Sequence, residues 1–364
     1  MTNANLSRRK LIGAAFAATT LPWLSACGNT RGGGLPASGP GGRDAALLLP
    51  LTGQQAAIGQ NMARAATFAA QGGAADGVPQ VYDTTDTAAG AAMAAKQAIA
   101  KGAKLLLGPL KSDQTPAVLA AAGRVPVITF SNDDTLAAQG AYVMGITPAQ
   151  SVGAMFSYAR AQGLTRIALV VREGPLGDAT VAAARQIAAA GGITLTAVLT
   201  RNPEDGGVTA ALGAASNGTK SQAVYLPDGG AALTGFAAGL AGSGMQILGS
   251  AQWGAGDIAA DANLAGAWFA APPPDLFTPF ADRFQAAYGE APGLVAGLGH
   301  DAALLAIGLG NARSLSAKGI ERKAGFTGVL GPFRFLSGGR CQRDLSVLTL
   351  RGGVIEVLAE VSGT

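Results

Sequence analysis

The 364-residue sequence has one histidine, His300, and two cysteines, Cys27 and Cys341. That scarcity closes off several chemistries. Any Ser-His-Asp or Cys-His relay would have to run through His300. His300 stands in Leu298-Gly299-His300-Asp301-Ala302, ahead of an apolar helical stretch, where a helix-start or packing role accounts for it. One histidine, one unacylated thiol and scattered acids do not make a metal site. There is no Gly-x-Ser-x-Gly nucleophile elbow, and no Gly-x-Gly-x-x-Gly opens the first helix as a dinucleotide enzyme would need. The segment Gly213 to Ser221 comes near a phosphate loop, but Lys220 is displaced by one residue, so it reads as a surface loop. Asp133 and Asp134 are adjacent and point apart, which suits a turn better than acid–base work. A non-enzymatic protein without cofactor or metal is expected.

Charge is also sparse. Charged residues make up 13% of the chain against 49% hydrophobic ones, so a large core is available and disorder is excluded over most of the length. The net charge is +4, of which Arg8, Arg9 and Lys10 supply three in a segment without acids, leaving 4 − 3 = +1 for the rest. No basic stripe interleaved with aromatics occurs, which argues against nucleic acid as a partner.

The first residues set the compartment. Arg8-Arg9-Lys10 is a positive n-region, followed by the apolar stretch Leu11 to Leu24. A membrane-spanning helix needs about 20 apolar residues to cross about 30 Å, so this stretch is too short and reads as a signal peptide over residues 1–26. It ends in Leu24-Ser25-Ala26-Cys27, which resembles a lipobox: a small residue at the cut, then a cysteine to be acylated. Two or three acyl chains, at about 0.8 kcal/mol per buried CH₂, give a durable anchor. Ser7-Arg8-Arg9-Lys10-Leu11-Ile12 also resembles a twin-arginine signal, and the export route stays open. Gly28 after the cysteine resembles the sorting signal for an outer-membrane destination. With Cys27 acylated, Cys341 has no disulfide partner. Residues 27–43 form the lipidated tether, rich in glycine, with a reach of about 20 Å; the folded body is expected from Asp44.

The body alternates strand and helix. Ala45–Leu49, Val78–Tyr82, Ala103–Leu107 and Val125–Phe130 read as strands, with helices over Ala56–Gln71, Ala88–Lys101 and residues 113–122 between them. Continuous apolar runs of this kind are strands buried on both faces of a parallel sheet. The alternation restarts with a helix at Ser151–Gln162, strands at Arg166–Val171, Thr194–Leu199, Ala223–Leu226 and Gln246–Gly249, and helices at Asp178–Ala190 and Gly230–Ala241. Helices over 275–288 and 296–312 and strands over 331–335, 346–350 and 354–361 follow. Two successive α/β sheets are two lobes. The order predicts that the chain returns to lobe one and then crosses again.

Ligands in such folds sit beyond the carboxyl ends of strands. The loops there are Pro50-Leu51-Thr52-Gly53, Asp83-Thr84, Gly108 to Asp113, and Ser131-Asn132-Asp133. Ser112 or Asp113 is expected to cap the helix at 113–122, leaving backbone N–H groups for a carboxylate.

Several stretches together resemble the leucine-binding branch of the type I periplasmic binding proteins: Leu47 to Gly53 with Ala57-Ile58-Gly59-Gln60, Val81-Tyr82-Asp83-Thr84, Leu107-Gly108-Pro109-Leu110, Val125-Pro126-Val127-Ile128, Gly145-Ile146-Thr147-Pro148, and Phe326 to Phe335 with Gly338. The resemblance implies two Rossmann-like lobes of parallel sheet flanked by helices, three hinge crossings and a cleft that closes on a ligand. Lobe one is then expected over 44–145 plus about 267–330, and lobe two over 146–266 plus about 331–364. By motif the chain is similar to the penicillin-binding-protein activator lipoproteins of the LpoA C-terminal-module kind, through its Leu-Leu-Pro-Leu-Thr-Gly, Tyr-Asp-Thr and Gly-Pro-Leu wording and the Gly174-Pro175-Leu176-Gly177-Asp178 loop. Carried over from the amino-acid receptors, Ser112, Ser131 and Asn132 fall where a ligand carboxylate is held, and Asp228 where an ammonium is held. Thr52, Asp83 and Asp113 complete the expected cleft residues. An aromatic that commonly follows the first strand of lobe two is replaced by Gly174-Pro175-Leu176-Gly177, so one wall of a zwitterion pocket is missing. The expected function is a periplasmic lipoprotein, lipid-anchored to the outer membrane, that activates a penicillin-binding protein in peptidoglycan synthesis. The alternative is the substrate-binding protein of an ABC importer, with a permease as partner and an amino acid or related small polar ligand.

Overall fold

The computed structural model describes residues 40–70, 77–255 and 258–364. The expected signal peptide, the expected acylation site Cys27 and the expected tether up to residue 39 lie outside the described residues. Residues 40–43, expected in the tether, instead begin the fold as a 3₁₀ turn over Pro40–Asp44. The Gly41 N–H donates to Asn311 Oδ1 at 2.9 Å. A side chain at Gly41 would come within 2.3 Å of the Asn311 nitrogen, so glycine permits the close seat.

The first α/β set runs β1 (Ala45–Leu49), α1 (Ala56–Ala69), β2 (Gln80–Asp83), α2 (Ala88–Ala100), β3 (Leu105–Leu107), α3 (Thr115–Ala122), β4 (Val127–Thr129) and β5 (Tyr142–Val143). Its five strands are parallel in the order β2-β1-β3-β4-β5. Side-chain alternation divides the apolar runs between two cores. Leu47, Leu49, Leu105 and Leu107 face one way. Ala46, Leu48, Leu106 and Val127 face the other, against Ala91, Ala94, Ala95 and Ala98 of α2.

The chain then crosses to a second set: α4 (Pro148–Ala161), β6 (Arg166–Val171), α5 (Pro175–Gly191), β7 (Thr194–Thr200), α6 (Val208–Ala215), β8 (Ala223–Leu226), α7 (Gly230–Gly239), β9 (Gln246–Gly249) and β10 (Trp268–Ala271). α4 starts three residues earlier than its periodicity predicts. Thr147 and Gln150 form a reciprocal capping box there, with Pro148 in the first turn. Here too the strands are buried on both faces. Ala168, Val170, Val224 and Leu226 pack on α6 and α7, and Ile167, Leu169, Ala223 and Tyr225 on α4 and α5.

The remainder is α8 (Pro274–Tyr288), α9 (Gly293–Asn311), α10 (Ala317–Ile320), β11 (Phe326–Gly328), β12 (Gly331–Phe335), β13 (Cys341–Arg343), β14 (Leu345–Arg351) and β15 (Val354–Val361). α9 is long and apolar enough to cross a membrane by composition alone, but 72% of its most apolar window is buried within the fold. Leu298, Ala302, Leu305, Ala306 and Leu309 close the Leu47/Leu105 face of the first sheet. A helix apolar all round is explained by that burial.

Three crossings join the lobes, at 144–147, 272–273 and 344, and the expected boundaries shift in two places. Residues 267–271 were expected in lobe one. Their strand, β10, pairs with β9 in parallel and with β14 antiparallel, so they belong to the second sheet, ordered β15-β14-β10-β9-β8-β6-β7. Residues 331–343 were expected in lobe two. They form a three-stranded antiparallel sheet with β11 instead, and Phe333, Phe335 and Cys341 enter the first core.

Candidate functional site

The strand ends of both lobes, with α1, the start of α9 and Leu330, enclose a cleft of about 800 Å³. That size and a mainly apolar wall are typical of small-molecule sites. Lobe one contributes Leu110, Lys111, Ser112 and Asp113 after β3, and Phe130, Ser131 and Asn132 after β4. Lobe two contributes Pro175 at the start of α5 and Ala251 and Gln252 after β9. Gly145 and Ile146, on the first crossing, floor it, and Ile58, Asn61, Leu294, Val295 and Leu298 wall it from α1 and α9.

Four of the expected residues, Ser112, Asp113, Ser131 and Asn132, are together in this cleft. Their loops are held from behind. Lys111 Nζ lies 3.8 Å from Asp86 and 3.7 Å from Asp113. The Ser131 hydroxyl accepts the Asp133 N–H at 3.0 Å, and the Ser131 carbonyl accepts the Gly145 N–H at 3.2 Å. Neither Ser112 nor Asp113 caps α3, contrary to expectation. Both belong to a 3₁₀ turn, and α3 starts at Thr115 without a side-chain cap among the described residues. Asp133 does serve the turn, accepting from the Thr135 N–H and hydroxyl.

Three expected residues do not line the cleft. Thr52 and Asp83 are engaged with each other: the Thr52 hydroxyl donates to Asp83 Oδ2 at 2.7 Å. Asp83 Oδ1 accepts the N–H groups of Leu51, Thr52 and Thr85. Burial pushes the Asp83 carboxyl upward, but the Thr52 hydroxyl and these N–H groups together hold it below the usual aspartate value. This cluster fixes the turn between β1 and α1. Asp228 lies 4.0 Å from Arg172. Burial raises its carboxyl above the usual value, against the opposing pull of Arg172.

Asn61 of α1 lines the cleft without a local sequence signal that marks it. Its amide donates to the Pro292 carbonyl at 3.1 Å, while its buried Oδ1 has no partner among the described residues. Gln252 and Leu330 carry no such signal either, because they reach the cleft from elements far apart in the chain. His300 is a packing residue, 3.1 Å from Asp301 Oδ1 and with its ring 4.9 Å from that of Phe280. Asp301 also accepts the N–H groups of Val329 and Leu330. No cluster of three or more potential metal ligands occurs among the described residues.

A family model described as periplasmic binding protein matches residues 44–353. No curated protein matches the sequence. Among solved structures, a putative branched-chain amino acid ABC transporter protein from Rhodospirillum rubrum aligns with TM-score 0.70 and 20% identity, over 86% of this chain and 99% of that one. A solute-binding protein of an ABC transporter from R. palustris, in complex with benzoate, aligns with TM-score 0.65 and 22% identity over 88% and 96%. The LpoA C-domain from Haemophilus influenzae, a regulator of PBP1A, aligns with TM-score 0.65 and 19% identity over 86% and 99%. At these identities the likeness is one of fold.

Proposed function

The chain belongs to the periplasmic binding protein family, and from that premise we propose that its cleft binds a small carboxylic acid with an apolar body, without turning it over, as the receptor of an importer. The observation that carries this reading is the wall of the cleft. Apolar side chains (Ile58, Leu110, Phe130, Ile146, Leu294, Leu298) surround a polar strip of Lys111, Ser112, Asp113, Ser131 and Asn132, in which Asp113 is paired with Lys111. The strip suits a carboxylate, and the walls suit a hydrocarbon or ring. The acid expected to hold an ammonium, Asp228, lies outside the cleft lining and beside Arg172, and Asp113, within the lining, lies beside Lys111. This departs from the zwitterionic ligand inferred from the amino-acid receptors. His300, engaged in packing, supports a non-enzymatic role. Acylation at Cys27 would hold the receptor to the membrane surface on the periplasmic side.

Isothermal titration with matched acids tests the reading. Leucine and 4-methylpentanoate share an apolar body, and only leucine carries the ammonium. The des-amino acid or benzoate should bind, and at 100 times its Kd should stabilise the fold by about 2.7 kcal/mol. Binding of leucine alone, or of no small acid, overturns it.

A second reading, activation of a penicillin-binding protein, has its own support. Gly174 followed by Pro175-Leu176-Gly177 at the start of α5 stands where the resemblance to receptors implies an aromatic wall, and the fold covers 99% of the regulator's C-domain. Co-purification of a peptidoglycan synthase, with no response to any small acid, would favour it.

A further inference from the structure

Behind the cleft, past Asn132, Ile146 and Gln252, lies a smaller hollow of about 10 Å³. That is room for about one oxygen atom. The two share those three wall residues, so a molecule in the cleft borders the hollow directly. Tyr225 of β8 is among the other residues that line it. The residue is fully buried, and its ring packs edge-on against Phe156 at 5.9 Å. Its hydroxyl has no hydrogen-bond partner among the described residues. Buried tyrosine hydroxyls ordinarily find one, because the unpaired group loses its hydration for nothing.

The other hydroxyls around the hollow are engaged. Thr180 donates to the Leu176 carbonyl and Ser250 to the Pro227 carbonyl, while Ser151 accepts the Ala251 N–H. Leu176 and Thr180 belong to the first turns of α5, a 17-residue helix with no side-chain cap among the described residues. Leu176, in the first turn, brings the positive end of the helix to the wall of the hollow. Burial keeps the Tyr225 phenol protonated far above the usual range, so it remains a donor. An uncapped helix start and an unpaired O–H both call for an acceptor oxygen.

We propose that this hollow is a second-lobe subsite for a single oxygen at the far end of a cleft ligand, with Tyr225 as its hydrogen-bond donor. The ligand then has two polar ends, a carboxylate at Ser112, Ser131 and Asn132 and an oxygen at Tyr225, with an apolar body between them. The inference rests on the cleft-binding reading above.

Isothermal titration of the purified protein and of Tyr225→Phe with benzoate and 4-hydroxybenzoate tests it. The hydroxylated acid should bind about tenfold more tightly to the parent protein. That advantage should disappear in Tyr225→Phe. Equal binding of the two acids by the parent, or an advantage that survives in the variant, overturns the subsite and leaves the cleft reading intact. Binding of neither acid removes the cleft reading for aromatic acids and the subsite with it. A crystal structure of the 4-hydroxybenzoate complex gives a readout independent of the variant's folding. The ring hydroxyl should lie within about 3 Å of Tyr225 Oη; a water molecule there, with the ring hydroxyl elsewhere, overturns the proposal.

Discussion

Arg343 and Met144 are joined across 199 residues of sequence: Arg343 Nη2 donates to the Met144 carbonyl at 3.2 Å. Nη1 of the same guanidinium donates to the Leu330 carbonyl at 3.2 Å, and its face covers the Phe333 ring at 4.9 Å. Met144 opens the first crossing between lobes and Arg343 precedes the third, so one buried fork ties the two together. Arg343→Met should destabilise the protein by about 2–5 kcal/mol, since two buried carbonyls lose their donors. Arg343→Lys should recover only part of this, because an ammonium lacks the planar fork. Urea denaturation of the three proteins checks the order.

The Thr52–Asp83 cluster should give the protein an acid-sensitive component. The folded carboxyl sits below its unfolded value, so the native state binds this proton less readily than the unfolded chain. Its contribution is complete above the unfolded value of about 4 and is lost as pH falls through the lower folded value. Asp83→Asn should lower stability at pH 7 by roughly 1–2 kcal/mol and flatten the acid limb of a stability–pH curve.

Asp228 carries the opposite sign. Its folded carboxyl is raised, so the native state binds this proton more readily, and stability falls as pH rises from the unfolded value through the folded one. Above that window the cost is fully present. Asp228→Asn should therefore raise the melting temperature at pH 7 and have little effect well below pH 4, as calorimetry at the two pH values will report.

Gly145 and Gly153 make a matched pair. A Cβ at Gly145 would lie 2.4 Å from the Ser131 oxygen and 2.6 Å from the Phe130 oxygen, whereas at Gly153, inside α4, it would meet only Ile187 Cδ1 at 3.9 Å. Gly145→Ala should cost about 1–3 kcal/mol by forcing the β4 loop aside. Gly153→Ala should stabilise by roughly 0.5–1 kcal/mol through helix propensity. Thermal melts will separate the two signs.

Cys341 should be inert to thiol reagents in the native state. It is buried, and that burial pushes the thiol up to about 11, with Arg343 pulling in the opposite direction. Titration with a chromogenic disulfide should show no fast reaction at pH 8 and one thiol per chain released on unfolding in urea, in protein lacking Cys27.

Strands such as Ala45–Leu49 and Arg166–Val171 were readable because burial on both faces leaves an unbroken apolar run. β5, two residues long, is too short for periodicity to mark, and β10 runs straight into a proline run without the α-helix that precedes each of β6, β7, β8 and β9. Missing β10 also misplaced the second crossing. At the site, residues following β3 and β4 were found because strand ends converge on a cleft. Thr52 follows β1 and Asp83 ends β2, but the hydrogen bonds between them turn both to structural work. Asn61, Gln252 and Tyr225 carry no local signal; only the meeting of helix starts and strand ends from separate thirds of the chain gives them a place.

The closure of the first sheet by α9 bears on how the protein is made. Leu47, Leu49, Leu105 and Leu107 emerge from the ribosome early, but their cover, Leu298 to Leu309, emerges late. At about 5–20 residues per second, the stretch from Leu107 to Leu298 takes about 10–40 s to synthesise. Through that interval only α1 can cover this leucine face, and the part that α9 will occupy is open to holdase chaperones or to a neighbouring nascent chain.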